Sequence, residues 1–189
     1  MAGHGFHVHG PHDHEVEHAA HNNDQFSSKI AVMTAIMATV GALLGYEGGA
    51  TQNSAAMLKN SAAINKTEAS NRWSHYQAKS NKQNLAELAL LLPAVDVDKY
   101  KRELERYKTE KEQIKKEAEA FELRVVELEK ASDAAIHQHH RWAQAMTAIQ
   151  IAISLAAIAL LTKKKWLEYT SYGVATAGLS IAALAWMHI

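Results

Sequence analysis

Apolar and polar residues alternate along this chain in long blocks. One apolar run extends from Ile30 to Leu44, and two more follow late in the chain, from Ala143 to Leu161 and from Trp166 to Ile189. The run that begins at Ala143 contains no charged residue, and a helix of about 20 predominantly apolar residues can cross the hydrocarbon core of a bilayer. The pattern therefore predicts membrane-spanning helices on either side of a long polar segment.

These blocks divide the chain into six predicted segments. We expect a polar tail at 1–28, a transmembrane helix at 29–47, a helical hairpin at 48–141 with its tip near 93–97, a second transmembrane helix at 142–162, a basic loop at 163–168 and a third transmembrane helix at 169–189. The first span is the shortest, and its alternative is the apolar core of a signal peptide. We favour a retained helix, because a long polar segment precedes the span and no small-residue cleavage site clearly follows it.

The second arm of the hairpin carries a regular seven-residue pattern. Its apolar positions recur at alternating spacings of four and three: Tyr100, Leu104, Tyr107, Ile114, Ala118, Phe121, Val125, Leu128, Ala135 and Trp142. Lys111, Ser132 and His139 are the polar exceptions on this stripe. A heptad repeat predicts a coiled-coil seam, and Pro93 favours a turn between the arms. We therefore expect an all-α membrane protein with one N-terminal transmembrane helix, a long antiparallel coiled-coil hairpin outside the bilayer and a C-terminal transmembrane pair.

The first arm of the hairpin is richer in small and polar residues. Alanines and asparagines alternate along it: Ala55, Ala56, Ala62, Ala63, Ala69, Ala78, Asn53, Asn60, Asn65 and Asn71. Small residues allow helices to approach closely, and polar core residues set register. Candidate packing surfaces between copies are Trp73, Tyr76, Gln77 and Lys79 on this arm, and Gly41 and Gly45 in the first span. A binding site for an extended partner is the alternative for the Trp73 region. We favour packing between subunits.

A short pattern in the first arm is more specific. It consists of Glu68-Ala69-Ser70, then Trp73, then Tyr76-Gln77-Ala78-Lys79-Ser80, with Gln83 after it. This stretch resembles the signature of a bacterial family known as domain of unknown function 4337, and the resemblance extends over about residues 29–189. It implies the same order of a polar start, one membrane helix, a charged helix and a membrane pair. It implies no catalytic residue.

Histidines are concentrated before the first apolar run. They are His4, His7, His9, His12, His14, His18 and His21. Imidazole suits zinc, nickel or copper, so this tail is a candidate metal site, and a flexible tail that binds metal loosely or not at all is the favoured alternative. A second group, His137, His139 and His140, lies at the predicted membrane edge. Interfacial residues that close a helix are favoured there over a ligand site. No cofactor is expected to be required.

Several function classes find no support in the sequence. The chain has no cysteine and a formal net charge of zero, which argues against thiol chemistry and against nucleic acid as a partner. It contains no glycine-rich phosphate loop and no Gly-x-Ser-x-Gly motif, so we do not expect an enzyme. Transport usually requires charged groups within the membrane. Only Glu47 and Glu168 come near it, both at its predicted edges.

The short-loop charges predict an orientation. Lys29 and the loop Lys163–Lys165 lie on one side of three spans, which predicts a cytoplasmic amino terminus and a periplasmic hairpin in the bacterial inner membrane. We expect a non-enzymatic protein that contacts membrane lipid and homo-oligomerises through its hairpin as a scaffold or spacer. The alternatives are an accessory subunit of a larger membrane complex and a metal-handling protein that uses the histidine tail.

Overall fold

Residues 25–187 are described by a computed structural model, and they form three α-helices. Helix α1 comprises Gln25–Ala89, α2 comprises Val97–Thr162 and α3 comprises Lys165–Trp186. No β-strand occurs within this range. The prediction of an all-α protein is therefore confirmed for the described chain.

The turn between α1 and α2 follows local sequence chemistry. Helix α1 ends in a tight turn in which Leu91 N donates to Leu88 O over 3.0 Å, ahead of Pro93. Ala94 then takes a left-handed conformation with φ of 63°. Asp96 Oδ1 accepts a hydrogen bond of 3.0 Å from Lys99 N. This carboxylate caps α2, because the first N–H groups of a helix have no partner within the helix.

The described helices contribute to two compact units. Of the described residues, one unit contains 25–52 and 136–187, and the other contains Asn53–Ala135. We call the second unit the helix pair, since it consists of the carboxyl part of α1 and the amino part of α2. We call the first unit the three-helix unit, since all three helices contribute to it.

The three-helix unit has a core rich in alanine. Its buried members from α2 are Trp142, Ala145, Ile149, Ala152, Ala156 and Ala159, and they pack with Ile30, Met37 and Leu44 of α1 and with Leu167, Ala175, Ala182 and Ala185 of α3. Small side chains let the helix backbones approach closely. One close approach is at Gly178, where a Cβ atom would lie 3.2 Å from the carbonyl oxygen of Ala145.

The helix pair packs small residues of α1 against larger residues of α2. Its buried residues are Ala55, Ala62, Ala69 and Ala86 from α1, and Tyr107, Ile114, Ala118, Leu128 and Ser132 from α2. Ion pairs join Lys59 to Glu129, Arg72 to Glu117 and Lys79 to Glu110. Residue numbers rise along α1 as they fall along α2, so the two segments run in opposite directions within this unit.

The polar exceptions on the α2 stripe all bond to α1. Lys111 Nζ donates to Gln83 Oε1 over 3.1 Å. Ser132 Oγ donates to the carbonyl oxygen of Ala55 over 3.0 Å. In the three-helix unit, His139 Nδ1 lies 2.8 Å from the carbonyl oxygen of Gly48. Each polar side chain therefore has a partner on the facing helix, which removes most of the cost of its burial.

Candidate interaction surfaces

Trp73 lies at the edge between the two helices of the helix pair. Its indole Nε1 donates to Glu122 Oε1 over 2.8 Å, and its ring meets the ring of Tyr76 edge to face at 5.6 Å. A surface groove beside the indole is lined by Lys66, Ala69, Ser70, Glu122, Val125 and Val126. Trp73 thus contacts α2 of its own chain while one side of the ring borders this groove.

Tyr76 and Lys79 also contact α2. Lys111 Nζ lies 4.9 Å from the centre of the Tyr76 ring, within the range of a cation–π interaction. Lys79 Nζ lies 2.5 Å from Glu110 Oε2. Gln77 is exposed. Three of the four side chains that the sequence proposes as a partner surface on α1 are therefore engaged within the chain itself, and Gln77 alone of the four is open.

The Lys79–Glu110 pair makes the helix pair sensitive to acid. The hydrogen bond from Lys79 lowers the pKa of the Glu110 carboxyl below its usual range. Its stabilising contribution is complete above the usual carboxyl pKa, and it is lost as the pH falls through the lowered value, because the unfolded chain takes up the proton first. We expect Glu110→Gln to reduce the loss of thermal stability between neutral and acidic pH, measured by circular dichroism on the full chain in detergent.

The matched control for this prediction is Glu112→Gln. Glu112 is exposed, and among the described residues it makes no ion pair. Its replacement should leave the pH profile close to that of the unmodified chain. An equal flattening of the profile by both substitutions would contradict a special role for the Lys79–Glu110 pair.

A second apolar stripe lies on the exposed side of α1. Met57, Ile64, Leu85 and, just beyond the helix, Leu92 are 63, 57, 65 and 62% exposed. They follow a spacing of seven, and the two intervening positions of that series are Asn71 and Ala78, which are also exposed. We call these six residues the outer stripe. The seven-residue spacing of the outer stripe is present in the sequence.

An ion pair joins α1 to α3 in the three-helix unit. Lys29 Nζ lies 2.8 Å from Glu168 Oε1, and Tyr172 Oη donates to the same oxygen over 3.3 Å. Glu168 is only 3% exposed. Ser171 Oγ donates to the carbonyl oxygen of Ala152, which holds α3 against α2 beside this pair. The sequence predicts that Lys29 and Glu168 lie near a membrane edge, but it does not indicate that they form an ion pair.

The two glycines proposed for close contacts lie against α2. A Cβ at Gly41 would be 3.4 Å from Ile149, and one at Gly45 would be 3.2 Å from Met146. Both glycines also line an open apolar groove with Gln150 on its opposite wall. Part of each glycine therefore faces its own chain, and part faces the groove.

The α2 histidines of the three-helix unit, His137, His139 and His140, show no metal arrangement. Because a carbonyl oxygen only accepts, His139 Nδ1 must donate its proton to Gly48. Within residues 25–187, no group of three His, Cys, Asp or Glu side chains is placed to hold a metal ion. The predicted metal residues of the tail, His4 to His21, lie outside the described residues.

Helices α1 and α2 each contain a stretch that is, by length and composition, long and apolar enough to cross a membrane. Within its described residues α3 falls short of that apolar content, because polar side chains interrupt it: Thr170, Ser171, Tyr172, Thr176 and Ser180. The third span stays a prediction.

The comparison with known families agrees with the resemblance found in the sequence. The chain belongs to the family described as a domain of unknown function (DUF4337), whose model matches residues 26–188. No curated protein and no solved structure matches the chain. The family prediction is confirmed, and function must be argued from the chain's own surfaces.

Proposed function

We propose that this protein is a non-enzymatic, membrane-anchored scaffold or spacer that self-associates through the outer stripe of its helix pair. In this proposal α1 and α2 cross a bilayer near Ile30–Leu44 and Ala143–Leu161, α3 forms the third span, and the helix pair is an antiparallel coiled-coil hairpin outside the membrane. The inner membrane of a bacterium, with a periplasmic hairpin, remains the orientation that the lysines favour.

The burial of the apolar stretches supports membrane anchorage. Only 28% of the residues in the most apolar window of α1, and the same share in α2, are buried within the chain. A core helix of a soluble protein would bury most of such a window. Large exposed side chains in these stretches include Val32, Ile36, Leu43, Ile151 and Ile158. In a bilayer, lipid would cover these side chains, so their apolar surface would not be exposed to water.

The outer stripe is the observation that supports self-association. The helix pair already buries one face of α1 against α2, so Met57, Ile64 and Leu85 form a second apolar face without a partner among the described residues. A seven-residue repeat of apolar positions is the pattern by which helices associate in coiled coils. Asn71 lies within the series, and a single polar residue there would set the register and the number of chains.

The test is the mass of the full chain in a mild detergent. We expect the unmodified protein to be an oligomer and the double variant Ile64→Glu/Leu85→Glu to be a monomer by light scattering after gel filtration. Burying each of these side chains stabilises by about 1.5–3 kcal/mol, so their replacement should weaken association on the order of a hundredfold or more.

The matched control is Leu123→Glu. Leu123 is 68% exposed and lies on α2 of the same unit, outside the outer stripe. It introduces one glutamate at a comparably exposed apolar position, so it is compared with the single variant Ile64→Glu as well as with the double variant, and the oligomer should persist. A monomeric unmodified chain, or an oligomer that Leu123→Glu disrupts as strongly as the double variant, would contradict the proposal.

The accessory-subunit alternative rests on a different observation. The apolar groove of the three-helix unit is lined by Gly41, Gly45 and Ile153, with the exposed amide of Gln150 among them. Small residues and a polar side chain within an apolar stretch are typical of helix–helix contacts in membranes. A helix of another protein in this groove would make the chain a subunit of a larger complex. Co-purification of a second protein from native membrane, lost on Gly45→Leu, distinguishes this alternative from the scaffold.

A further inference from the structure

The turn between α2 and α3 carries four lysines and one carboxylate in a small region. Lys163, Lys164 and Lys165 form the turn and the start of α3, and Lys29 and Glu168 lie beside them in the same unit. At neutral pH the formal charge of these five side chains is +3. Their arrangement, rather than the charge count alone, determines how much of that charge is available to a ligand.

The carboxylate of Glu168 already has partners within the chain. Glu168 is 3% exposed, and both partners of its Oε1 atom, Lys29 and Tyr172, belong to the chain. A buried carboxylate that already has an ion-pair partner contributes little compensation to charges in water. The positive charge of the turn is therefore not cancelled by Glu168.

Lys163 has a structural position in the turn. Its backbone adopts a left-handed conformation with φ of 56°, which ends α2 and reverses the chain. Its Nζ lies 2.5 Å from Ser27 Oγ, and 5.6 Å from the centre of the Phe26 ring. These contacts hold the turn against the start of α1, so the next two residues are presented on an ordered support.

Lys164 and Lys165 project from that support. Both are exposed, and neither side chain forms a hydrogen bond or ion pair with any residue of the described chain, although the carbonyl oxygen of Lys164 accepts a hydrogen bond from Leu167 N. Trp166 and Tyr169 follow them on the first turn of α3 and are 61 and 67% exposed. Exposed tryptophan and tyrosine next to lysine are typical of the headgroup layer of a membrane, where one end of each ring is apolar and the other is hydrated.

We propose that the Lys164–Lys165 turn binds the headgroup phosphate of an anionic phospholipid. The inference rests on the proposed membrane anchorage, because that anchorage brings the turn to the level of the headgroups. The two ammonium groups would contact phosphate oxygens, and Trp166 and Tyr169 would lie along the glycerol and upper acyl region. The ligand class is an anionic phospholipid, and zwitterionic lipid lacks the net charge that this site selects.

The test measures lipid retention by native mass spectrometry on the full chain in a neutral detergent. The probes are short-chain phosphatidylglycerol, phosphatidylcholine of the same chain length, and inorganic phosphate. We expect phosphatidylglycerol to bind at least tenfold more tightly than phosphatidylcholine, and Lys164→Gln/Lys165→Gln to remove about tenfold or more of that preference, since each lysine near an anionic surface contributes roughly a factor of five. Rising salt should weaken the preference.

The matched control is Lys101→Gln/Lys116→Gln, which removes the same charge from exposed positions in the helix pair. It should leave lipid retention unchanged. Equal retention of the two lipids, equal effects of the two double variants, or displacement of phosphatidylglycerol by equimolar inorganic phosphate would each overturn the proposal. The oligomer mass of the lysine variants should equal that of the unmodified chain, so failure of this site is distinguishable from failure of the scaffold.

Discussion

Replacing Lys29 with methionine should destabilise the three-helix unit more than Glu168→Gln does. The substitution leaves the carboxylate of Glu168, whose side chain is only 4% exposed, with the hydroxyl of Tyr172 as its partner. Losing the lysine is unfavourable, because the carboxylate charge that remains is buried and loses its ion-pair partner. Glu168→Gln should cost only about 1 kcal/mol, since the side chain of Lys29 is 61% exposed and returns to solvent. Unfolding followed by tryptophan fluorescence in detergent measures both changes.

A double variant distinguishes the ion pair from simple loss of packing. Lys29→Met/Glu168→Leu replaces both charges with apolar groups of similar volume, and such replacements of buried pairs are often neutral or stabilising. We therefore expect it to recover most of the stability that Lys29→Met alone removes. If Lys29→Met and Glu168→Gln reduce stability equally, the asymmetry of burial has no energetic consequence and the interpretation of this pair is wrong.

The sequence predicted helices better than it predicted neighbours. The heptad stripe of α2 is a local signal, and the structure buries its members Tyr107, Ile114 and Leu128. The same spacing marked Lys111 and Ser132 as exceptions without revealing their partners. Those partners, Gln83 and the carbonyl oxygen of Ala55, lie on α1, and periodicity along one helix does not identify which group faces it across a seam.

The candidate surfaces show the same limit. The sequence predicts that the signature residues Trp73, Tyr76 and Lys79 pack between subunits. In the structure these three side chains reach Glu122, Lys111 and Glu110 of α2. These contacts show where the side chains lie within the chain, and packing between subunits at this segment stays a prediction.

The outer stripe has a signal in the sequence, but that signal is too weak to identify the stripe without the structure. Its seven-residue spacing is present in the sequence, but Asn71 and Ala78 interrupt its large apolar side chains, so the stripe is weaker than that of α2. Exposure made it recognisable, because a buried Met57 or Ile64 would be ordinary core. The sequence predicts that the first arm of the hairpin packs between subunits, and the outer stripe supports that hypothesis without testing it.

Gly178 should tolerate no large side chain, and Gly178→Leu should lower the stability of the three-helix unit by about 3 kcal/mol or more. A Cβ at this position would lie 3.0 Å from Ala148 Cβ and 3.2 Å from the carbonyl oxygen of Ala145. The carbonyl belongs to the backbone of α2 and has little freedom to move, so a larger group must separate α3 from α2. Overpacking of a core by single methylenes costs about 1–3 kcal/mol, and leucine adds more than one. The midpoint of thermal unfolding in detergent is the measurement.

Gly173 provides the matched control on the same helix. A Cβ there would meet no atom within 4 Å, and the residue is exposed. Gly173→Ala should therefore leave stability unchanged or raise it by up to about 1 kcal/mol through helix propensity. Gly178→Ala should fall between the two, because the same propensity gain offsets part of the crowding at Ala145. Equal stability of Gly178→Leu and Gly173→Ala would show that α3 does not pack on α2 at this distance.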